Sequence, residues 1–339
     1  MSLPAEAGKL WNDLIVRVFT DRGLIQQSEV DEGLFVMRKS LVNLQNATID
    51  FEMDLCLYVD DSVYSSNDEP IAERVIDEIE ATGRSLTRMG QARWFLSMIL
   101  DQDRLNGRYT ISQPAYIQNI LRFSMFGDMR KAPFVSRPCS SAKDIDHTAA
   151  PTADTTLAKE EKLRQSQYRA EVGKSLFLVR MTVPLGSFQV HRLGKFAANP
   201  GEKHIEELRH FYRWLASNPK IGITYHRDAK PNFRVVTNAI KRGPSMDLNS
   251  PINWSDSDHA SECSTRASHS GFAVTDAGAV VAFGDEDQKC VSVSTTEAEL
   301  IALARACREA IFIRKVTCRP SLCVAPTLIV HYTAHDGLL

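Results

Sequence analysis

The chain has 339 residues, with 43% hydrophobic residues, 24% charged residues and a formal net charge of −2. That length can bury two or three cores. The composition excludes a wholly disordered chain, and the charge balance excludes binding to nucleic acid through net charge alone. No stretch is long and apolar enough for a transmembrane span, and "MSLPAEAGKLWNDL" lacks a basic flank before an apolar core. An intracellular location, cytoplasmic or nuclear, is therefore expected, with no membrane partner. The seven cysteines form no CxxC pair and read as free thiols.

Taken in chain order, "MDLCLYVDD" alternates as a half-buried strand, with Leu55, Leu57 and Val59 on one face and Cys56 and Tyr58 on the other. Asp60 and Asp61 fall at the turn, and "SVYSSND" returns. In "PIAERVIDEIEATG", Pro70 suits the first helical turn, Ile71, Val75, Ile76 and Ile79 share a face, and Gly83 suits the end. "ARWFLSMILDQDRLNGRYTIS" reads as two strands joined through Asn106-Gly107, followed by a helix with Ile117, Ile120 and Leu121 on one side.

Polar "SRPCSSAKDIDHTAAPTADTTLAKEEK" (136–162) reads as a linker, and "KRGPSMDLNSP" (241–251) as a second break. Between them, the stretch from His204 to Arg242 carries Arg209, Arg213, Lys220 and Arg227 among Phe211, Tyr212, Trp214 and Tyr225. This is either a nucleic-acid face or a solvated helix face anchored by core aromatics. In the last segment "INWSD", "SGFAVTDAGAVVAFG" and "KCVSVS" give strands with a tight turn at Asp276-Ala277-Gly278. "TTEAELIALARACREAIFIRKV" gives a long helix and "TLIVHY" a returning strand. Three meandering strands, a helix and a return open an α/β layer whose first and last strands can lie parallel.

An Asp-Asp pair at a hairpin tip is commonly a turn device, since carboxylates accept backbone hydrogen bonds. Held close on a rigid tip, the same pair repels itself unless a divalent cation such as Mg²⁺ lies against it, bringing substrate phosphates with it. The surrounding residues carry a resemblance. "LYVDD", "WFLSMI", "SQPAYIQNIL", "YRAEVGKSLFL" and "HIEELRHFYRWL", in this order, resemble the reverse transcriptase of copia-type retrotransposons. "NWSDSDHASECSTRASHSGFAV", "KCVSVSTTEAELIAL" and "REAIFIRKV" resemble the ribonuclease H domain that follows it.

The resemblance implies that Tyr58, Asp60 and Asp61 stand on the catalytic hairpin of a polymerase palm, the aspartates binding Mg²⁺. It also implies that Asp256 and Glu299 are metal ligands of a ribonuclease H site. Ala334 stands where that site's third aspartate is expected, and Asp336, two residues on, lies about 7 Å further along a strand. The family's other polymerase aspartate belongs upstream of the segment resembling "SLPAEAGKLWN". Read from the residues alone, Asp256 also fits a strand-end turn residue, and it is the family match that favours the metal-ligand reading. Glu299, three residues after Thr296, is equally half of a capping box.

The expected fold is an α+β polymerase palm/thumb fragment followed by an α/β ribonuclease H-like domain, truncated at both ends. The expected divisions are a partial palm/thumb at 1–135, a linker at 136–165, a helical thumb and connection region at 166–245, and a truncated ribonuclease H-like domain at 246–339. The implied function is two-metal phosphoryl transfer by ancestry, incomplete in this chain. The expected partners are RNA, DNA or their hybrid, deoxynucleotides if active, and a further subunit or polyprotein remainder. The alternatives are a noncatalytic nucleic-acid-binding remnant using Arg209, Arg213, Lys220 and Arg227, or an unstable product with unpaired sheet edges.

Overall fold

The computed structural model describes residues 7–20, 25–42, 47–59, 61–81, 87–139, 159–228, 234–237, 252–258, 266–317 and 329–331. They divide into two compact units, 1–96 and 97–339.

The first unit contains α1 (Ala7–Thr20), β1 (Gln26–Gln27), β2 (Leu34–Val42), β3 (Thr48–Tyr58), β4 (Asp61–Ser66), α2 (Glu69–Glu80) and β5 (Trp94–Phe95). Strands β1 to β4 form an antiparallel meander in sequence order. Alternation in β3 buries Phe51, Met53 and Leu55, and Phe35 and Met37 of β2 share the same core. Helix α2 closes it with Ile71, Ala72, Val75, Ile76 and Ile79. Its start follows from local chemistry: the Asp68 carboxylate accepts the Ile71 N–H at 3.0 Å and Pro70 fills the first turn. The strand, turn, strand, helix order is thus the one expected. The expected stop at Gly83 lies outside the described residues.

The second unit opens with β6 (Met98–Asp103), β7 (Arg108–Ser112) and α3 (Pro114–Arg122). The β6–β7 hairpin turns where expected, with Asp103 paired to Arg108 and the Asp103 carboxylate accepting the Asn106 N–H at 3.0 Å. Helices α4 (Lys159–Met181), α5 (Ser187–Lys195) and α6 (Glu202–Ser217) follow, then β8 (Gly222–His226), which pairs antiparallel with β7. A Cβ on Gly222 would stand 2.5 Å from the Ile111 carbonyl oxygen, so this pairing requires glycine. Helices α3 to α6 share one core through Ile117, Leu121, Tyr168, Val190, Leu208 and Phe211.

The last elements are β9 (Arg234–Thr237), β10 (Ile252–Asp258), β11 (His269–Asp276), β12 (Ala279–Asp287), α7 (Thr295–Thr317) and β13 (Ile329–His331). The turn between β11 and β12 is the expected one: Ala277 and Gly278 both have positive φ, 49° and 75°, as a type I′ two-residue hairpin requires. The sheet order is β12-β11-β10-β9-β13, antiparallel from β12 to β10 and parallel from β10 to β13. Helix α7 packs on it through Leu303, Ala306 and Ala310 against Val274 and Phe272.

Several expectations change, and one is that "KCVSVS" is no strand: it lies in the connection between the end of β12 at Asp287 and the start of α7 at Thr295. The compact units divide at Leu96 rather than in the 136–165 stretch, because the apolar side of α3 is buried with α4 and α6. Helix α4 begins inside that stretch, at Lys159. The region expected to be helical to residue 245 ends its helix at Ser217 and continues as strands. One of them, β9, inserts between β10 and β13, so the returning strand runs parallel to β10 without pairing to it. Val235 and Val236, β-branched, suit that short strand. Among the described residues no helix is long and apolar enough to cross a membrane.

Candidate functional site

The hairpin that carries the aspartate pair is tight. Tyr58 of β3 pairs with Asp61 of β4, leaving Val59 and Asp60 as the two turn residues. Asp60 itself lies outside the described residues. Val59 has φ of 58°, a left-handed conformation that a β-branched side chain adopts only under constraint. Both primed hairpin turns need positive φ at this position. Val59 is therefore no longer on the buried face with Leu55 and Leu57, as its alternation suggested, but stands 63% exposed at the tip beside Tyr58, 58% exposed. Asp61 is exposed as well.

The strands below the tip are held firmly. The Tyr64 hydroxyl of β4 donates to the Glu73 carboxylate of α2 at 2.7 Å, and burial together with that carboxylate raises the Tyr64 pKa to about 12. Arg88 spans the outer side of α2, reaching Glu73, Asp77 and Glu80 at 2.7, 2.6 and 2.6 Å. On β2, Arg38 donates to the Met53 carbonyl at 2.8 Å and pairs with Asp54. A strained turn on a rigid two-strand base is an arrangement in which stored backbone strain accompanies function. Replacing Val59 with glycine is expected to stabilise the hairpin by about 1 kcal/mol, relief of the left-handed strain outweighing the added chain entropy. Hydrogen exchange of residues 53–66 in the full chain reads this, and equal or faster exchange in the variant would contradict the strain.

In the second unit, Asp256 sits on β10 opposite Gly271 of β11, and its side chain lies outside the described residues. Glu299 is half-buried on α7, just after its first turn. The capping alternative proposed for Glu299 belongs to other residues. The Ser294 hydroxyl accepts the Glu297 N–H at 3.1 Å, and the Glu297 carboxylate accepts the Val293 N–H at 2.6 Å. The cap thus falls two residues earlier than Thr296–Glu299. Ala334 and Asp336 lie outside the described residues. Among the described residues no group of three His, Cys, Asp or Glu side chains could hold a metal ion.

The basic stretch separates into two kinds of residue. Phe211, Tyr212 and Trp214 are 0%, 0% and 4% exposed, so they anchor the helical core and are closed to base stacking. Arg209 stands half-buried with its guanidinium 5.0 Å from the centre of the Phe126 ring. Arg213 is half-buried, and Lys220 and Arg227 are exposed. The Arg227 N–H donates to the Gly107 carbonyl at 2.8 Å, fixing β8 to the β6–β7 turn. The Tyr225 hydroxyl donates to the Val280 carbonyl of β12 at 3.2 Å, and burial, with the nearby Asp276, raises its pKa.

One cluster escaped the sequence reading. Ser187, His191 and Lys195, spaced four residues apart on α5, meet Asp285 and Asp287, spaced two apart on β12, with His269 of β11 between them. Helical spacing on one side and strand spacing on the other was the available signal. Their meeting depends on packing between elements far apart in sequence.

No protein-family model and no solved structure matches the chain. Over 262 residues it is 25% identical to the retrovirus-related Pol polyprotein from transposon TNT 1-94 of Nicotiana tabacum, covering 77% of this chain and 18% of that polyprotein. Over 283 residues it is 26% identical to the retrovirus-related Pol polyprotein from transposon RE1 of Arabidopsis thaliana, covering 82% of this chain and 16% of that one. A third relative, secreted RxLR effector protein 161 of Plasmopara viticola, is 26% identical over 151 residues, which are 44% of this chain and 94% of the effector. The chain spans less than a fifth of the length of the two polyproteins. Over most of its length, the chain is similar to one stretch of the retrovirus-related Pol polyproteins from plant transposons.

Proposed function

We propose that the chain is a fragment of a retrotransposon reverse transcriptase with a ribonuclease H-like region, catalytically incomplete by itself. The observation that carries this reading is the two-residue turn between Tyr58 and Asp61, in a chain similar to Pol polyproteins along most of its length. The mixed sheet with α7 on one face supports the second half of the reading. The carboxylates of Asp60 and Asp61 are hard oxygen donors that suit Mg²⁺, which would offset phosphate charge when bound. Two-metal transfer needs further carboxylates to fix a second ion, so the pair is proposed to work only with other parts of a polyprotein. The chain alone is expected to give no primer extension with Mg²⁺. Extension that disappears in Asp60→Asn would overturn this.

A second reading, a noncatalytic nucleic-acid binder, is motivated by Lys220 and Arg227, two exposed basic residues on either side of β8. With the aromatic side chains of α6 buried, such binding rests on Arg213, Lys220 and Arg227 and on phosphate charge. Binding of a short RNA·DNA hybrid across a salt series, with circular dichroism on the same sample, tests it. The expected result is affinity that falls steeply with salt, with the slope reduced by about 1 in Lys220→Gln. Folded protein without salt-dependent binding would sink this reading.

A further inference from the structure

Helix α5 and the β11–β12 hairpin are joined through polar groups that the proposed function does not use. The Ser187 hydroxyl donates to Asp285 Oδ1 at 2.7 Å, and Lys195 Nζ donates to Asp287 Oδ1 at 2.7 Å. Between these two contacts sits His269, 9% exposed, with Nδ1 2.9 Å from Asp287 Oδ1 and Nε2 3.6 Å from Asp285 Oδ2. Both ring nitrogens therefore face carboxylates. A neutral imidazole has one N–H and would turn its other lone pair toward an anion, whereas the imidazolium carries a proton on each side. At 3.6 Å the Nε2 contact is a charge interaction rather than a hydrogen bond, and it exists only when the ring is charged.

The other groups around the ring come from every packed element. On α5, His191 Nδ1 lies 3.8 Å from Asp285 Oδ2 with its ring 5.6 Å from that of His269. Also on α5, Arg192 lies over Phe188, whose ring meets His269 edge-on at 5.4 Å. On β10, the backbone of Asp258 pairs in register with that of His269, and the Asp258 side chain lies outside the described residues. On β12, Glu286 pairs instead with Arg305 of α7 at 3.5 Å. A cavity of about 390 Å³ lined by Arg180 of α4, His191, Phe283 and Asp285 borders the junction.

We propose that His269, clamped between Asp285 and Asp287, is a proton-operated latch that holds α5 on the β11–β12 hairpin. Burial alone would lower the His269 pKa, but the two carboxylates outweigh it and raise the value above the ordinary 6.5. A raised histidine pKa gives stability that is fully present below 6.5 and lost as pH rises through the folded-state value. Asp285 and Asp287 shift the opposite way: burial opposes, but His269, Ser187 and Lys195 lower them. Their contribution is present above 3.8 and lost as pH falls through their lowered values. The junction is thus closed in mildly acidic solution and loosens toward alkaline pH.

The test uses the full chain in EDTA, following the His269 ring by NMR from about pH 5.5 to 8.5 and amide exchange of residues 187–195 and 279–287 over the same range. Once exchange is corrected for its intrinsic pH dependence, protection of both stretches is expected to fall about tenfold per pH unit above 6.5 until His269 is deprotonated. His269→Gln is expected to flatten that dependence. Should this variant fail to fold, Asp287→Asn is expected to move the His269 titration downward. A His269 ring that titrates at or below 6.5, or protection that does not change with pH, would overturn the latch.

Discussion

Phe211→Ala is expected to lower the stability of the helical core by about 3–5 kcal/mol, the range for deleting a buried aromatic ring. Phe211 is fully buried, with its ring centre 5.7 Å from that of Trp214 and 6.2 Å from that of Tyr212. It also fills the space beside Gly186, where a Cβ would stand 2.7 Å from the Phe211 ring, so backbone and ring are in direct contact. The cavity left by alanine cannot close without moving α6 relative to that turn. Denaturant unfolding followed by circular dichroism gives the loss, and Phe211→Leu should recover part of it. The experiment also separates packing from recognition. If Phe211 stacked on bases, the alanine variant would lose hybrid affinity at unchanged stability.

Glu171→Ala is expected to cost about 3 kcal/mol, because it strips a buried carboxylate from several donors at once. Glu171, 4% exposed on α4, accepts the Tyr212 hydroxyl at 2.6 Å, the Met125 N–H at 3.2 Å and Lys174 Nζ at 3.1 Å. It thereby ties α4 to α6 and to the chain following α3. Burial, and then the Glu171 charge, hold the Tyr212 phenol protonated far above its ordinary range, so the hydroxyl remains a donor throughout working pH. Removing the acceptor leaves the buried Tyr212 hydroxyl only the longer bond to the Glu171 backbone carbonyl, at 3.4 Å, and strips the half-buried Met125 amide of its carboxylate. Glu171→Gln, which keeps one carbonyl oxygen, should cost less than half as much by the same unfolding measurement. Equal losses in the two variants would show that side-chain volume, rather than the acceptor, matters.

Local order fixed much of what could be read directly. Alternation in β3, the proline and aspartate start of α2, and the Asn106-Gly107 and Ala277-Gly278 turns all occur where their residues place them. These features depend on neighbours within a few positions, which a sequence displays. The capping of α7 was local too, yet the reading misplaced it, because "STTEAE" offers two overlapping serine or threonine and glutamate pairs. Hydrogen bonding selects Ser294 and Glu297, leaving Glu299 outside the cap.

What the amino-acid order determined by itself was the run from β3 to α2, the β6–β7 hairpin with α3, the β11–β12 turn, the aspartate pair at a hairpin and the similarity to Pol polyproteins. The tertiary structure decided which aromatic residues near Arg209 and Arg213 are core. Periodicity shows that residues share a face, but not whether another helix covers it. It also decided that β9 separates β10 from β13, since a four-residue strand carries too weak a pattern to choose its partners. And it alone brought His269 between Asp285 and Asp287 under α5. Charges on separate elements interact only once packing has set the distances between them.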